Sequence, residues 1–355
     1  MRYPEFIKKG DPIGIVSPSF SVATEPYRTA FRYACDCFKE RGHLAVPGPN
    51  IYKSDGIGIS TDPASCAREL TEAYEDPALK AIISSGGGEL MCETISEVDF
   101  ERIGKCAPKW YMGYSDNTNF TFLLTTLCDT ASIYGPCASS FGMDPVHRSL
   151  SDALDLLEGK KLVAENYDLW EKEAVKDEEH PLAPYNLTEP VVMRGFLPDN
   201  GKEGYAYGLK PAEKLSMKGR LLGGCLDSLA NLAGTRFDRV PEFVHRYRND
   251  GIIWYLEACD LNVFSIRRAM WELEEAGWFE GATGFLFGRA VHGEEIGGLD
   301  LMGAELCIPG IKHSVPVIAE CDIGHMKPMM TLINGALSGV SYSDNHLVID
   351  MGIEL

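Results

Sequence analysis

Three residues far apart in the chain have the types that amide hydrolysis requires: Ser115, Glu257 and His325. In a serine triad the imidazole removes the hydroxyl proton, the carboxylate fixes the imidazole tautomer, and backbone N–H groups hold the oxyanion. Ser115 follows Lys109-Trp110-Tyr111-Met112-Gly113-Tyr114, which reads as a buried strand. It precedes the apolar run Phe120–Leu127, which reads as a helix capped by Asn117, Thr118 or Asn119. A serine at such a corner stands clear of the sheet over a helix N-terminus, with the N–H of Asp116 facing a developing oxyanion. The match to G-x-S-x-G is incomplete, because Asn117 replaces the second glycine, although asparagine tolerates left-handed backbone angles. A serine that only caps the helix fits this stretch at least as well, so the case for chemistry rests on the other two residues.

Glu257 ends the apolar run Gly251-Ile252-Ile253-Trp254-Tyr255-Leu256, which places a carboxylate at a strand terminus where burial demands a cation or donor. His325 occupies a loop after the strand Val315–Glu320, between Gly324 and Pro328, which fix the turn. Among eight histidines it is the best placed for chemistry, and His292 is its rival. Cys225 and Cys259 offer a thiol nucleophile instead, but neither has an elbow around it. A two-domain protein that binds a peptide or nucleotide conjugate without turnover is the remaining alternative.

Positioning these groups requires a sheet whose strands end together. The first half of the chain supplies the pattern: strand Asp11–Val16, helix Glu25–Arg41 stopped by Gly42, strand Leu44–Val46, helix Asp62–Asp76 and strand Leu79–Ser84. Alternating strands and helices predict an α/β fold with a parallel sheet covered on both faces. The turn Ser17-Pro18-Ser19 reads as a loop walling a site at the sheet's carboxyl edge, which makes Ser17 a candidate substrate contact. Gly86-Gly87-Gly88 follows the strand ending at Ser84 and lets backbone approach a ligand closely; Gly86 is a further candidate contact. Without G-x-x-x-x-G-K-[ST] or G-x-G-x-x-G, an oxyanion donor opposite Ser115 fits these glycines better than a phosphate cradle, and a plain packing turn fits as well.

From Val163 to Glu203 acidic runs and prolines interrupt the periodicity, while Trp170, Tyr185 and Phe196 punctuate the segment. It reads as an interdomain connection and long loop, with Trp170 as an aromatic that stacks on substrate. The second domain starts at Leu215–Asp227, a strand into a glycine turn that carries Arg220, another candidate substrate contact. A formal net charge of −19 over 355 residues disfavours nucleic acid and anionic membrane surfaces as partners. No run is long and apolar enough for a signal peptide or bilayer span, and eleven cysteines without regular spacing read as reduced thiols, so the expected compartment is the cytoplasm. No metal-ligand spacing beyond the weak Cys321–His325 pattern occurs, and neither a metal nor a cofactor is expected.

Five blocks together resemble the serine peptidase family that contains the LD-carboxypeptidases and the microcin C self-immunity peptidases, over nearly the whole chain. They are Gly10-Asp11 through Ser17-Pro18-Ser19; Leu79–Ile83 with Gly86-Gly87; Gly113-Tyr114-Ser115-Asp116; Gly219–Gly224 with Gly234-Thr235; and Leu256-Glu257 with Gly324-His325. The resemblance implies Ser115 as nucleophile, His325 as general base, Glu257 as its carboxylate partner, and an oxyanion hole from the N–H groups of Gly87 and Asp116. It also implies a homodimer of chains with a flavodoxin-like domain (1–160), a connecting segment and active-site loop (161–205), and a smaller α/β domain (206–355). The active site would lie between the domains. Cys225 and Ala258 depart from the family's Gly-Gly-Asn-Leu and Leu-Glu-Asp blocks. The length, the 163–203 segment and His325-Met326-Lys327-Pro328 look more like the microcin-immunity branch, whose substrates are peptidyl or aminoacyl nucleotides. The other branch trims D-alanine from murein tetrapeptides.

Overall fold

The computed structural model describes residues 1–56, 58–199 and 206–352. Its first sheet is built from short apolar or small-residue runs, buried on both faces in the inner strands and largely exposed in the edge strand Leu44–Pro47. These are Pro12–Val16 (β1), Leu44–Pro47 (β2), Ala81–Ser84 (β3), Trp110–Gly113 (β4) and Ser132–Tyr134 (β5). They lie parallel in the order β2-β1-β3-β4-β5, the flavodoxin-like arrangement. Helices Tyr27–Arg41 (α1), Pro63–Glu75 (α2), Met91–Ser96 (α3), Phe100–Lys105 (α4), Thr118–Thr126 (α5) and Arg148–Leu157 (α6) accompany them. In α1 the buried residues Ala30, Phe31, Ala34 and Phe38 recur at helical spacing, and Gly42 ends the helix at φ +92°. The Asp62 carboxylate caps α2 by accepting from the Ser65 N–H.

The segment 163–203 is not a plain loop. It contributes Val163–Glu165 (β6), a two-stranded hairpin of Leu169–Glu171 (β7) and Leu187–Pro190 (β8), and Arg194–Pro198 (β9); residues 200–203 lie outside the described residues. Leu209–Pro211 (β10) and Lys214–Cys225 (β11) follow. After helices Leu226–Leu232 (α7) and Val240–Arg246 (α8) come Ile252–Glu257 (β12), helix Val263–Glu275 (α9), Ala282–Gly288 (β13), helix Leu301–Ile308 (α10) and Val317–Cys321 (β14). The chain closes with Leu332–Asn334 (β15), Leu337–Ser343 (β16) and His346–Asp350 (β17). The second sheet runs β10-β9-β14-β13-β12-β11-β16-β17-β6, with a parallel centre of β11 to β14. Because β6 is a short strand at the sheet's edge beside β17 and β9 a short strand beside β14, they need neither long apolar runs nor strict alternation, and Pro198 sits at a strand end where a missing donor costs little.

The two sheets are tied together rather than merely adjacent. β15, from the C-terminal part of the chain, adds antiparallel to β5 in the first sheet. Helix α5 is buried at every position, and its Phe122 stacks on Trp278 at 5.1 Å, which in turn stacks on Trp254 of β12 at 6.0 Å. The Thr118 hydroxyl at the start of α5 accepts the Cys225 N–H at 3.0 Å. The carboxyl ends of β4 and β12 therefore meet across a packed seam. Among the described residues no helix is long and apolar enough to cross a membrane, and all eleven cysteines are unbridged.

Candidate active site

Ser115 adopts φ +64°, the left-handed region that costs a non-glycine residue energy and marks a tightly determined corner. Two residues hold the corner. Gly113 leaves room for Asn117, since a Cβ there would lie 2.8 Å from the Asn117 side chain. Asn117 itself is right-handed and does not cap α5 with its side chain, contrary to the sequence expectation. Its amide accepts from the Tyr111 hydroxyl at 2.6 Å and donates to the Gly86 carbonyl at 2.8 Å and the Tyr114 carbonyl at 3.1 Å. The elbow is thereby locked to the glycine loop after β3. Gly87 faces the nucleophile: a Cβ on it would stand 3.1 Å from Ser115 Oγ.

His325 bridges the two halves of the fold. Its Nε2 lies 2.9 Å from Ser115 Oγ and its Nδ1 lies 2.8 Å from Glu257 Oε2. Glu257 ends β12, and Gly324 brings the loop after β14 against it: at φ +94°, a Cβ on Gly324 would lie 2.4 Å from the Glu257 carboxyl group. The carboxylate is only 3% exposed, so its second oxygen also needs a donor, which is the Tyr134 hydroxyl at 2.5 Å. That hydroxyl also accepts the Ser115 N–H at 3.4 Å, closing a loop of hydrogen bonds back to the elbow. Burial alone would raise the Glu257 pKa, but the His325 cation and the bonds from His325 and Tyr134 outweigh it and hold the pKa below its ordinary value. Burial alone would lower the His325 pKa, but the Glu257 carboxylate outweighs it and pushes the pKa up to about 10. Asp116, next to the nucleophile, is anchored by the Ser19 hydroxyl at 2.5 Å, the Met91 N–H at 2.8 Å and the Asn119 amide at 2.9 Å.

Ser115 and His325 open into a cavity of about 580 Å³, walled by Gly86 to Glu89 on one side and by Glu171, Lys176 and Tyr185 of the 163–203 segment on the other. Lys327 also lines it, with Nζ 3.8 Å from the centre of the Tyr114 ring and donating to the Gly324 carbonyl at 3.1 Å. Desolvation lowers the pKa of both Lys327 and Lys176 to about 8.

Three expected substrate contacts do not line this cavity. Ser17 is buried, its hydroxyl 2.8 Å from that of Ser85 and its N–H donating to Glu69 Oε2 at 2.7 Å. Trp170 belongs to the β7–β8 hairpin, where its indole N–H donates to the Pro190 carbonyl at 3.2 Å and the Arg289 guanidinium sits 5.1 Å from its ring. The neighbouring Glu171 and the loop residue Tyr185 face the cavity in its stead. Arg220 pairs with Asp250 at 2.7 Å, donates to the Gly335 carbonyl at 2.7 Å and stacks on Tyr247 at 4.1 Å. It is a structural clamp between β11 and the β15–β16 turn. Arg220→Ala is expected to lower stability by about 2 kcal/mol, seen as a fall in Tm, while leaving KM unchanged. A raised KM at unchanged Tm would restore the substrate role. Gly86, by contrast, does line the cavity.

The rival residues fall elsewhere or are chemically muted. His292 is exposed beyond the end of β13. Cys225 is buried, donates to Asp227 Oδ2 at 3.3 Å, and is held as the thiol because burial and then the Glu257 charge raise its pKa well above the ordinary value. Its Sγ gathers with Glu257 and His325 donor atoms within 4.8 Å, but both ring nitrogens and both carboxylate oxygens are already engaged in the Ser115–His325–Glu257–Tyr134 chain. Cys259 lines the cavity without an elbow. Sequence reasoning missed Tyr134, whose partners lie 123 and 19 residues away, so no local spacing marks it.

An elbow serine bonded to an imidazole that is bonded to a buried carboxylate is the constellation found in serine hydrolases. The chain belongs to the LD-carboxypeptidase family: the family's N-terminal domain matches residues 13–135 and its C-terminal domain residues 218–340. YocD of Bacillus subtilis (strain 168), a candidate carboxypeptidase, is 27% identical over 97% of this chain and 100% of its own length. The microcin C7 self-immunity protein MccF of Escherichia coli is 24% identical over 96% of this chain and 93% of its own length. Among solved structures, an MccF-like protein from Bacillus anthracis str. Ames superposes with a TM-score of 0.78 at 21% identity, covering 99% of this chain and 100% of that one. MccF in complex with glutamyl sulfamoyl guanosine superposes with a TM-score of 0.77 at 21% identity, covering 99% of each chain. At such identity the structural likeness shows the fold.

Proposed function

We propose that this chain is a serine peptidase that cleaves an amide bond in a small peptide or an aminoacyl nucleotide through an acyl-enzyme. The observation that carries the reading is the continuous hydrogen-bonded chain from Ser115 Oγ through His325 to Glu257, opening into the cavity. In this reading His325 Nε2 takes the Ser115 proton as Oγ attacks the carbonyl carbon, and Glu257 holds the imidazolium that forms. The N–H groups of Gly87 and Asp116 receive the oxyanion, with Gly87 supported in that role because its missing Cβ keeps the space before Oγ open. His325 then returns the proton to the leaving amine, and water attacks the ester by the same steps in reverse.

Lys176 and Lys327, which line the cavity beside the carboxylates of Glu89 and Glu171, are the groups that would hold an anionic leaving portion, either a terminal carboxylate or a phosphate-like group. A cavity of about 580 Å³ suits a ligand of nucleotide size. MccF has been solved with aspartyl sulfamoyl adenosine and with glutamyl sulfamoyl guanosine, which supports the aminoacyl-nucleotide branch. The unbridged cysteines support a reducing, cytoplasmic setting, and a homodimer belongs to the same reading. The test is mass spectrometry of purified protein incubated in parallel with a murein L,D-tetrapeptide and an aminoacyl-sulfamoyl adenylate. Release of D-alanine assigns the cell-wall branch, cleavage of the adenylate conjugate assigns the immunity-type branch, and turnover of neither overturns the reading in favour of a binding protein.

A further inference from the structure

β14 delivers the loop that carries His325, and the end of this strand is irregular. Glu320 adopts φ +63°, and the pairing of β13 with β14 slips by one residue, from Leu286 opposite Ile318 to Gly288 opposite Cys321. Beyond this bulge Asp322 is fully buried, with both carboxylate oxygens engaged. Its Oδ1 pairs with the Arg289 guanidinium, and its Oδ2 accepts the Tyr167 N–H at 2.7 Å. The Asp322 carbonyl accepts the Met330 N–H at 2.7 Å, which closes the neck of the loop on which His325 stands. Arg289, the first residue after β13, is buried as well; it donates to the Glu320 carbonyl at 2.9 Å and lies 5.1 Å from the centre of the Trp170 ring. β13 pairs with β12, the strand that ends at Glu257. The Arg289–Asp322 pair therefore ties the loop of the base to the sheet edge that sets its carboxylate partner, while Tyr167 and Trp170 tie it to the segment that walls the cavity.

Stability is a poor account of this pair. Burial raises the Asp322 pKa against the pull of Arg289, and Arg289 Nε is buried without a hydrogen-bond partner. A buried ion pair of this kind often stabilises a fold no better than apolar side chains of similar volume. Position accounts for it better. Asp322 precedes His325 by three residues, and the stretch between them has no slack: a Cβ on Gly288 would lie 2.2 Å from the Ile323 carbonyl oxygen and 2.8 Å from Glu257 Cβ. A displacement of the loop at Asp322 is passed on to both ring nitrogens of His325, which sit 2.9 Å from Ser115 Oγ and 2.8 Å from Glu257 Oε2.

We propose that Asp322, paired with Arg289 and bonded to the Tyr167 N–H, is a positioning residue that sets the His325 imidazole between Ser115 and Glu257. Its effect on turnover rests on the serine peptidase reading. Its effect on the imidazole does not.

The experiment takes two readouts on the full chain. One is the rate at which a fluorophosphonate labels Ser115, a step in which Oγ displaces fluoride from phosphorus while His325 takes the Oγ proton; Ser115→Ala is the blank. The other is the low-field proton resonance of the imidazole N–H bonded to Glu257, which reports that bond without any reaction. Asp322→Asn and Arg289→Met are compared with the double variant Asp322→Asn/Arg289→Met, which leaves no unpaired charge, and with Arg289→Lys, the mildest change and the one read if the others do not fold. In the double variant labelling is expected to be about 10- to 100-fold slower than in wild type and the resonance displaced, although its Tm recovers above those of the single variants. Arg289→Lys is expected to slow labelling several-fold, because an ammonium cannot serve Asp322 and the Glu320 carbonyl as a fork does. Readouts that stay as in wild type, or that recover together with Tm in the double variant, overturn the proposal and leave the pair a structural clamp. Failure of the wild type to label overturns the peptidase reading instead, and the resonance then decides: displaced in the variants it sustains the role of Asp322, unmoved it overturns it.

Discussion

Replacing Ser115 by alanine is expected to lower kcat/KM by about 10⁴- to 10⁶-fold on whichever substrate the wild type turns over. The size follows from what is lost. Without Oγ there is no bond to form to the carbonyl carbon, and His325 Nε2 loses its only nucleophile at 2.9 Å. What survives is the glycine loop, the N–H of residue 116 and the cavity walls, which align the substrate for slow attack by water. The φ of +64° strains serine and alanine alike, so stability should change by no more than about 1 kcal/mol, and the variant remains a fair test of chemistry. Substrate affinity, measured by calorimetry, should stay within a few-fold of wild type. Undiminished turnover in the variant would remove Ser115 from the reaction; if thiol reagents then abolished it, Cys259 at the cavity wall would take over as candidate.

The three residues of that chain were legible because each stands at the end of an apolar strand, where burial makes a polar side chain conspicuous. The parallel character of the first sheet was legible for a related reason, since strands and helices alternate there with clear stops such as Gly42. Other features were hidden by physics that no local pattern records. Asn117 sits where a cap is expected, but the hydroxyl of Tyr111 and the carbonyl of Gly86 offer it tertiary bonds that a cap cannot match. Arg220 resembles a substrate contact in sequence, and only the fold shows that Asp250, Gly335 and Tyr247 satisfy it. The 163–203 segment hides its strands because they are only three to five residues long and lie at the margin of the second sheet or in a separate hairpin, where little periodicity is needed. β15 joins the N-terminal sheet through a pairing that spans 200 residues, beyond any periodicity a window detects. Tyr134 belongs to the same class: its hydroxyl matters only because folding sets it between Ser115 and Glu257.

That hydroxyl also decides what Glu257→Gln should do. Tyr134 already accepts the Ser115 N–H, so its own proton points to Glu257 Oε1, and a glutamine must present its carbonyl there. Its NH₂ then faces His325 Nδ1, which forces the imidazole to carry its proton on Nε2, the wrong nitrogen for a base toward Ser115. The expected loss in kcat/KM is about 10³- to 10⁴-fold. The pH dependence carries the sharper signature. In wild type, burial depresses the His325 pKa but the Glu257 charge overrides it and lifts the pKa from 6.5 to about 10. A general base must be unprotonated, so wild-type kcat/KM should climb with pH above 6.5. Glutamine removes the lifting charge and leaves burial, so the limb in the variant should move below 6.5, and the deficit should shrink toward acid pH. Stability follows the same linkage with its own sign. A raised His325 pKa contributes stability fully present below 6.5 and lost as pH rises toward 10, and a lowered Glu257 pKa contributes stability present above 4.5 and lost as pH falls through the folded value. The Tm difference between wild type and variant should therefore be greatest between 4.5 and 6.5 and narrow toward 10. Profiles of kcat/KM and Tm over about pH 5 to 10 in both proteins test this together. A limb that stays in place when the carboxylate is gone would mean that the ionising group governing turnover is not the imidazole that Glu257 holds.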